Sequence, residues 1–134
     1  MTTPSPLTRK LGIKPGLRTV VLNAPDGAIH ALDPLPDGAS VAAATGDVPG
    51  DVVAVFVRDA AEVDAWVAIA AASVAPSGRL WVVYPKGGKS AGTDINRDIL
   101  HARLQERGLT GVTLVAYDDR WSAMRFRTAE ETGG

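Results

Sequence analysis

Residues 51–84 read DVVAVFVRDAAEVDAWVAIAAASVAPSGRLWVVY and predict a strand, a helix and a second strand. Both strands, Asp51–Val57 and Arg79–Tyr84, are almost continuously apolar. Such runs are typical of strands that are covered on both faces in a parallel sheet. A strand–helix–strand unit of this length therefore predicts a right-handed parallel crossover.

The helix in this unit is predicted over Asp59–Ala75. Asp59 is a suitable N-cap, and Glu62 lies three residues further on, which approximates a capping box. Pro76 and Gly78 end the helix. Apolar residues at helical spacing predict its buried stripe: Val63, Trp66, Val67, Ala70 and Val74.

The residues that precede this unit predict two further strands and a short helix. Arg18–Asn23 is a β-branched run bounded by turn residues, and Ser40–Ala44 is a weaker strand. Between them, Asp26–Asp33 predicts a short helix that Asp26 caps and Pro34 ends.

A second long helix and a terminal hairpin are predicted after the unit. The helix spans Thr93–Arg107, with Thr93 as its cap, Asp94 at its positive end and Gly108 after it. Its predicted buried stripe is Ile95, Ile99 and Ala102, with Leu100 and Leu104 as further members. Val112–Tyr117 and Trp121–Arg127 are too close in sequence for a parallel crossover and predict an antiparallel hairpin.

The order of these elements predicts an α/β fold. We expect a three-layer Rossmann-like sheet of about six strands, mostly parallel, with the antiparallel hairpin at the C-terminal end. A single domain is predicted over residues 7–127. Residues 1–6, which contain two prolines, and the polar residues 128–134 are predicted to be a disordered leader and tail.

Composition excludes several classes of function. The 134 residues include no cysteine, which excludes disulfides, thiolate catalysis and cysteine-ligated metals. A formal net charge of −1 argues against nucleic-acid binding. No apolar run is long enough for a membrane helix, so we expect a cytoplasmic protein that binds neither nucleic acid nor a membrane.

The two histidines, His30 and His101, lack metal-ligand or nucleophile spacing, so no catalytic or metal residue is predicted.

Candidate binding residues follow the strands, because ligands of open α/β sheets lie outside the carboxyl ends of the strands. The loop PKGGKSAG at 85–92 offers two lysines and three glycines. It is not a P-loop, because Val83 stands where the first glycine of that motif belongs. The tentative ligand-binding residues are Lys86, Lys89, Ser90 and Arg97, with Asp26 and Asp59 at the ends of two other strands.

Each of these residues also has a structural interpretation. The 85–92 loop is more typical of a solvated loop than of a ligand-binding loop. The sequence favours an ion pair of Lys86 with Asp94, Asp98 or Asp59, and Arg97 would pair with Asp94 or Asp98.

The predicted plan resembles that of adenosylmethionine-dependent methyltransferases. Two short phrases carry the resemblance: Leu11-Gly12-Ile13-Lys14-Pro15-Gly16 before the first strand, and Pro76-Ser77-Gly78-Arg79-Leu80 before the fourth. The resemblance covers Leu11 to Arg127. It implies a terminal hairpin whose last strand inserts beside the fourth strand.

The chain departs from that family where the cofactor would bind. A methyltransferase places a glycine-rich loop after its first strand, and here the position reads Asn23-Ala24-Pro25-Asp26-Gly27-Ala28. Pro25 removes an amide donor, and the strand ending in Ala43-Ala44-Thr45 lacks the acidic residue that would hold the ribose. We therefore expect an ablated cofactor site and no cofactor.

The chain also resembles an uncharacterised bacterial family of small domains. The phrases that carry this second resemblance are Leu11-Gly12 with Pro15-Gly16, Ala24-Pro25, Leu80-Trp81 with Tyr84-Pro85-Lys86, Thr93-Asp94 with Arg97-Asp98, and Asp119 with the residues 121–126. It implies no activity.

Three functions stay open from the sequence. The first is a non-enzymatic, methyltransferase-like domain that binds or regulates a protein partner. The second is a domain that binds a nucleotide or a phosphorylated metabolite at the carboxyl ends of the strands. The third is a minimal methyltransferase. Either a monomer or a homodimer is compatible with the sequence, because the terminal hairpin can expose an edge strand.

Overall fold

The computed structural model describes residues 6–43, 49–87 and 92–128. Its helices are α1 (Pro6–Leu11), α2 (Ala60–Ser73) and α3 (Arg97–Gln105), with a 3-10 helix at His30–Leu32. Its strands are β1 (Arg18–Leu22), β2 (Ser40–Ala42), β3 (Gly50–Phe56), β4 (Val74–Pro85), β5 (Leu109–Ala116) and β6 (Trp121–Thr128). None of the helices in these ranges has the length and apolar character that crossing a bilayer requires.

The strands form one mixed sheet in the order β2-β1-β3-β4-β6-β5. The pairs among β1, β2, β3 and β4 are parallel, and β6 is antiparallel to both β4 and β5. The predicted Rossmann-like α/β plan is therefore confirmed, including the insertion of the last strand beside the fourth.

Both faces of the sheet are covered, as the apolar strands predict. Val53, Val55 and Val57 belong to a core with α2 and α3, whereas Val52 and Phe56 belong to a core on the opposite face with α1 and the 3-10 helix. Alternate side chains of a strand point to opposite faces, so an apolar run such as β3 supplies both cores.

Helix α2 begins as its sequence predicts. Asp59 is the N-cap, and its Oδ1 accepts a hydrogen bond from the Glu62 amide at 2.9 Å. The Glu62 carboxylate accepts from the Arg58 amide at 2.7 Å, one residue before the position that a capping box uses. Val63, Val67 and Ala70 are buried, whereas Trp66 and Val74 are partly buried against the same core.

Helix α3 begins later than predicted. Its N-cap is Asn96, whose Oδ1 accepts from the Ile99 amide at 2.9 Å. Thr93, the predicted cap, donates its hydroxyl hydrogen bond to the Arg58 carbonyl instead. Asp94 accepts from the Ala60 amide at 2.8 Å, so its charge complements the N-terminus of α2 rather than that of α3.

The predicted buried stripe of α3 is correct only in part. Leu100 and Leu104 are buried in the helix, and Ile95 is buried just before it. Ile99 is 41% exposed and Ala102 is exposed. The predicted stripe counted helical spacing from Ile95, which precedes α3, and so it wrongly placed Ile99 and Ala102 in the core.

The short helix predicted at Asp26–Asp33 is reduced to turns and the 3-10 helix. Its N-cap is Ile29, with no side-chain hydrogen bond, so Asp26 caps nothing. Pro6 opens α1, an element that the sequence did not predict, and Thr128 ends β6. The rest of the predicted leader and tail, residues 1–5 and 129–134, lies outside the described residues.

Candidate functional site

In the sheet, β2 lies on one side of β1 and β3 lies on the other. The direction in which successive strands are added therefore reverses beside β1. Ligands of open α/β sheets bind in the crevice at such a switch point. The two segments that flank this crevice are residues 23–29 after β1 and residues 57–59 after β3.

The side chain of Asn23 spans this crevice. Its Nδ2 donates to the Phe56 carbonyl oxygen at 2.8 Å and to Glu62 Oε2 at 3.0 Å. Asn23 has a φ of 55°, a left-handed conformation that asparagine tolerates better than most residues. The side chain of the residue that follows β1 thus connects the end of β3 with the first turn of α2.

Glu62 is the second residue whose side chain takes part in the hydrogen bonds across the crevice. Its Oε1 accepts from the Arg58 amide, and Arg58 Nη1 lies 3.3 Å from Glu62 Oε2. Partial burial raises the pKa of Glu62, but the hydrogen bonds from Asn23 and from the Arg58 amide, together with the Arg58 charge, outweigh it and lower the pKa overall. Glu62 is therefore ionised at neutral pH and holds its donors in place.

An aromatic cluster lies beside the crevice, on the face of the sheet that α1 covers. The ring of Phe56 contacts those of Tyr117 and Trp121 edge to face, each with centroids 5.1 Å apart. The Tyr117 hydroxyl donates to the Ala28 carbonyl at 2.6 Å, which fixes the segment after β1 against the terminal hairpin. Burial and the Asp118 charge raise the pKa of Tyr117, so its hydroxyl stays a donor at physiological pH.

A second region at this end of the sheet is open. A cleft of about 490 Å³ lies between the end of β4 and the first turn of α3. Two cationic residues line it, Lys86 and Arg97. Arg97 Nε lies 3.5 Å from Asp98 Oδ1 in an exposed pair, whereas Lys86 forms no ion pair with any described residue. The other lining residues are Tyr84, Pro85, Gly87, Asn96, Asp98, Leu114 and Ser122.

Tyr84 supplies a buried hydroxyl to the wall of this cleft. Only 4% of the residue is exposed, and burial raises the pKa of its phenol, although the Arg97 charge and a hydrogen bond with Ser122 act in the opposite direction. The cleft therefore combines two cations with two neutral hydroxyl groups, a set of donors suited to an anion.

A groove of about 290 Å³ borders the open cleft and shares Arg97, Asp98 and Leu114 with it. It runs between α3 and β5 past His101 and Gly111. A Cβ built on Gly111 would lie 2.7 Å from His101 Cδ2, so this glycine lets the imidazole approach the strand. The ring of His101 also stacks on Phe126, with centroids 6.3 Å apart.

The predicted binding residues do not form one group. Lys86 and Arg97 lie in the same cleft, as the sequence led us to expect. Lys89 and Ser90 lie outside the described residues. Asp26 lies in an exposed turn after β1, and Asp59 caps α2, so neither lines the open cleft. Among the described residues, no three potential ligands are grouped to hold a metal ion.

Several residues at this end of the sheet were not predicted. Asn23 and Glu62 bond across 39 positions, and no local pattern indicates that contact. Tyr84 and Ser122 meet because the hairpin inserts beside β4, where they are paired in register. The only local signal was an asparagine at the end of a predicted strand, because asparagine tolerates a left-handed turn.

No protein-family model and no curated protein matches the chain. Solved structures match it in fold. A DhpI–SAH complex superimposes with a TM-score of 0.56 at 16% identity, over 92% of this chain and 82% of that one. The ribosomal protein L11 methylase from Lactobacillus delbrueckii subsp. bulgaricus gives 0.58 at 9% identity, over 91% and 74%. A putative methyltransferase from Thermoplasma acidophilum gives 0.54 at 12% identity, over 96% and 76%. The chain therefore has a methyltransferase-like Rossmann fold.

Proposed function

We propose that the protein is a non-enzymatic, methyltransferase-like domain with an ablated cofactor site, and that it acts by binding or regulating another protein. The observation that carries this proposal is the closure of the switch-point crevice by Asn23, which bonds to Phe56 and Glu62. A cofactor in the usual position would have to displace these contacts.

The segment after β1 supports the same conclusion. A glycine-rich turn lets backbone amides approach a cofactor, whereas Pro25 offers no amide and Ala24 packs against the core. The hydrogen bond from Tyr117 to Ala28 holds the segment in this arrangement. Because these contacts join three separate parts of the fold, opening the crevice would cost folding free energy.

Calorimetry with adenosylmethionine and adenosylhomocysteine at millimolar concentration tests the loss of the cofactor site. We expect no binding heat from a sample whose folding has been verified by thermal unfolding. Saturable binding of either compound would contradict the proposal and favour the minimal methyltransferase. Reproducible turnover of any substrate by the pure protein, abolished by Lys86→Ala, would contradict the non-enzymatic part.

A second candidate function is the binding of a small anionic ligand, such as a nucleotide or a phosphorylated metabolite, in the open cleft. Lys86 and Arg97 point to it, because they line the same cleft beside the Tyr84 and Ser122 hydroxyl groups. Asp98, which pairs with Arg97, weakens the positive potential there.

A thermal-shift screen with nucleotides and sugar phosphates tests this second candidate. A ligand at 100 times its Kd stabilises the native state by about 2.7 kcal/mol. The double variant Lys86→Ala/Arg97→Ala should lose the shift, and Lys14→Ala, which removes an exposed lysine outside the cleft, should keep it. A panel without a shift, or a shift that the double variant keeps, would rule this candidate out.

A further inference from the structure

A cluster of basic residues lies on the face of the sheet that α1 covers, toward the amino ends of the parallel strands. Arg79 precedes Trp81 by two positions in β4, and alternate side chains of a strand share a face, so Arg79 lies on the same side as the core that contains Trp81. β4 and β6 are paired with Leu80 opposite Phe126. One step further along this register, Arg127 lies opposite Arg79, so two arginines are cross-strand neighbours.

The end of α1 adds three cations to this pair of arginines. Gly12 follows the helix with a φ of 81°, and a Cβ built on it would collide with Arg79 Nη1, so the guanidinium group packs against this turn. Three exposed basic residues lie within three positions of Gly12: Arg9, Lys10 and Lys14. We call these three residues, together with Arg79 and Arg127, the basic patch.

The basic patch has no ion-pair partner among the described residues. The segments that contain it, residues 1–25, 65–93 and 120–129, include no aspartate and no glutamate. Like charges directly opposite each other on neighbouring strands destabilise a sheet. An arrangement that lowers stability without a local compensation is typical of a functional surface.

Exposed acidic residues border the basic patch and restrict what can bind to it. They lie in the segment with the 3-10 helix, which packs on the same face of the sheet as α1: Asp26, Asp33 and Asp37. The Asp37 carbonyl accepts a hydrogen bond at 2.9 Å from the amide of Gly16, close to Lys14 in sequence. A membrane surface or a long nucleic acid would contact these carboxylates together with the patch, whereas a short acidic segment can contact the patch alone.

We propose that the basic patch binds an acidic segment of a partner protein, and this inference rests on the proposed function as a protein-binding domain. Aspartate and glutamate side chains of the segment pair with Arg79, Arg127 and the exposed cations near Gly12, which relieves the repulsion within the patch. The surface includes no residue that bonds across the crevice after β1 and none that lines the open cleft, so it can be tested independently of both.

Fluorescence anisotropy of a labelled peptide of alternating glutamate and serine tests this binding on the full chain at low ionic strength. A peptide with glutamine in place of glutamate is the uncharged control. Three charges of the patch are removed by Lys10→Gln/Lys14→Gln/Arg127→Gln, a variant that leaves Arg79 packed against the end of α1. We expect the wild type to bind only the glutamate peptide, and the variant to bind it about tenfold more weakly because three exposed ion pairs are lost.

A second triple variant controls for total charge. Arg103 and Arg107 pair with Asp64 on the opposite face of the sheet, and Arg120 lies in the turn before β6. Arg103→Gln/Arg107→Gln/Arg120→Gln should bind the glutamate peptide within about twofold of the wild type. Equal weakening in both variants would overturn the proposal, because binding would then depend on net charge alone. So would a wild type that binds no glutamate peptide, or that binds an oligonucleotide of equal charge more tightly.

Failure of this inference and failure of the proposed function give different results. A domain that binds neither adenosylmethionine nor the glutamate peptide keeps the proposed function and overturns the basic patch as its binding surface. A domain that binds adenosylmethionine contradicts the proposed function, while the two triple variants still decide whether the patch binds acidic segments.

Thermal unfolding supplies a readout that needs no partner. Arg127→Gln removes one of two opposed arginines, so its melting temperature relative to the wild type should be about 1–4 °C higher at low than at high ionic strength. Arg103→Gln breaks an ion pair with Asp64, and its relative melting temperature should change with salt in the opposite direction. Lost packing gives no such salt dependence. If Arg127→Gln shows no salt response, or one with the sign of Arg103→Gln, the patch is neutralised within the chain and the proposal is overturned.

Discussion

The crevice between β1 and β3 and the cleft between β4 and α3 lie at the same end of one sheet, but among the described residues side-chain hydrogen bonds cross the first, whereas the second is open. Across the first, Asn23 donates hydrogen bonds to Glu62 and to the Phe56 carbonyl oxygen. The Phe56 ring packs against Tyr117. The second encloses about 490 Å³ and holds Lys86 without an ion-pair partner in the described part of the chain.

This difference separates a region whose side chains bond to one another from a region whose side chains face solvent. The sheet order that creates a switch-point crevice is retained, and solved methyltransferases share the fold. Across this crevice, Asn23 bonds to the Phe56 carbonyl and to Glu62. Truncating the side chains that bond across the crevice should therefore lower the free energy of unfolding strongly. Truncating side chains of the open cleft should lower it little.

The largest effect is expected from truncating the aromatic cluster. Phe56→Ala removes a fully buried ring that contacts Tyr117 and Trp121, and should lower the free energy of unfolding by about 3–5 kcal/mol. Leu114→Ala in the open region, which is 45% exposed, should cost less than about 1 kcal/mol. Urea titration of both variants measures the two losses of unfolding free energy. Equal losses would contradict the expected difference between the two regions.

A smaller effect is expected at Asn23. Asn23→Gly keeps the positive φ accessible and deletes two hydrogen bonds, one of them to a carboxylate, so it should cost about 1–3 kcal/mol. Asn23→Ala should cost about 1–2 kcal/mol more, because alanine is strained in the left-handed region. If the glycine variant unfolds at the wild-type urea concentration, the side-chain contacts across the crevice do not stabilise the fold.

The pH dependence of stability should report the ionisation of Glu62. Its pKa is lower in the folded state than the ordinary value of 4.5, so its carboxylate stabilises the fold above that pH and loses its contribution as the pH falls through the folded-state pKa. The stability difference between wild type and Glu62→Gln should therefore be largest near neutral pH and shrink below about 4.5. A difference that is constant from pH 7 to pH 3 would contradict this assignment.

The smallest effect on stability is expected at the cations of the open cleft. Lys86→Ala and Arg97→Ala should each change the free energy of unfolding by no more than about 0.5 kcal/mol, because both side chains are exposed and Arg97 has only an exposed partner. Thermal unfolding without ligand measures this. A loss comparable to that of Asn23→Gly would show that the cleft residues, too, stabilise the fold.

The sequence predicted the elements with strong periodicity and missed those without it. β3, β4 and α2 were found because apolar runs and a cap coincide there. The end of α2 was misplaced, because α2 ends at Ser73 and β4 begins at Val74, so the predicted stop residues Pro76 and Gly78 lie in the strand. The start of α3 was misplaced, because Thr93 and Asn96 are both suitable caps and only the packing of Asp94 on α2 selects between them. Helix α1 was missed because it has six residues, too few for a helical period to emerge.

Of the candidate site, the sequence predicted that Lys86 and Arg97 face the same region, because one follows a strand and the other begins the next helix. That Pro25 and the missing glycines prevent cofactor binding after β1 stays a prediction, which the calorimetry with adenosylmethionine tests. The sequence did not predict what occupies the crevice, since the bond between Asn23 and Glu62 joins parts of the chain that no local pattern relates.

Hydrophobic periodicity and turn residues act over short distances along the chain, so the sequence was enough to predict the alternation of strands and helices, and with it the parallel sheet and its terminal hairpin. The packing of the layers determines which contacts cross the crevice after β1 and which strand lies at the edge of the sheet. The Tyr117 hydroxyl reaches Ala28 across 89 positions, and β5 lies at the edge because β6 inserts beside β4. Contacts of this kind depend on how the layers pack, which no segment of the chain encodes alone.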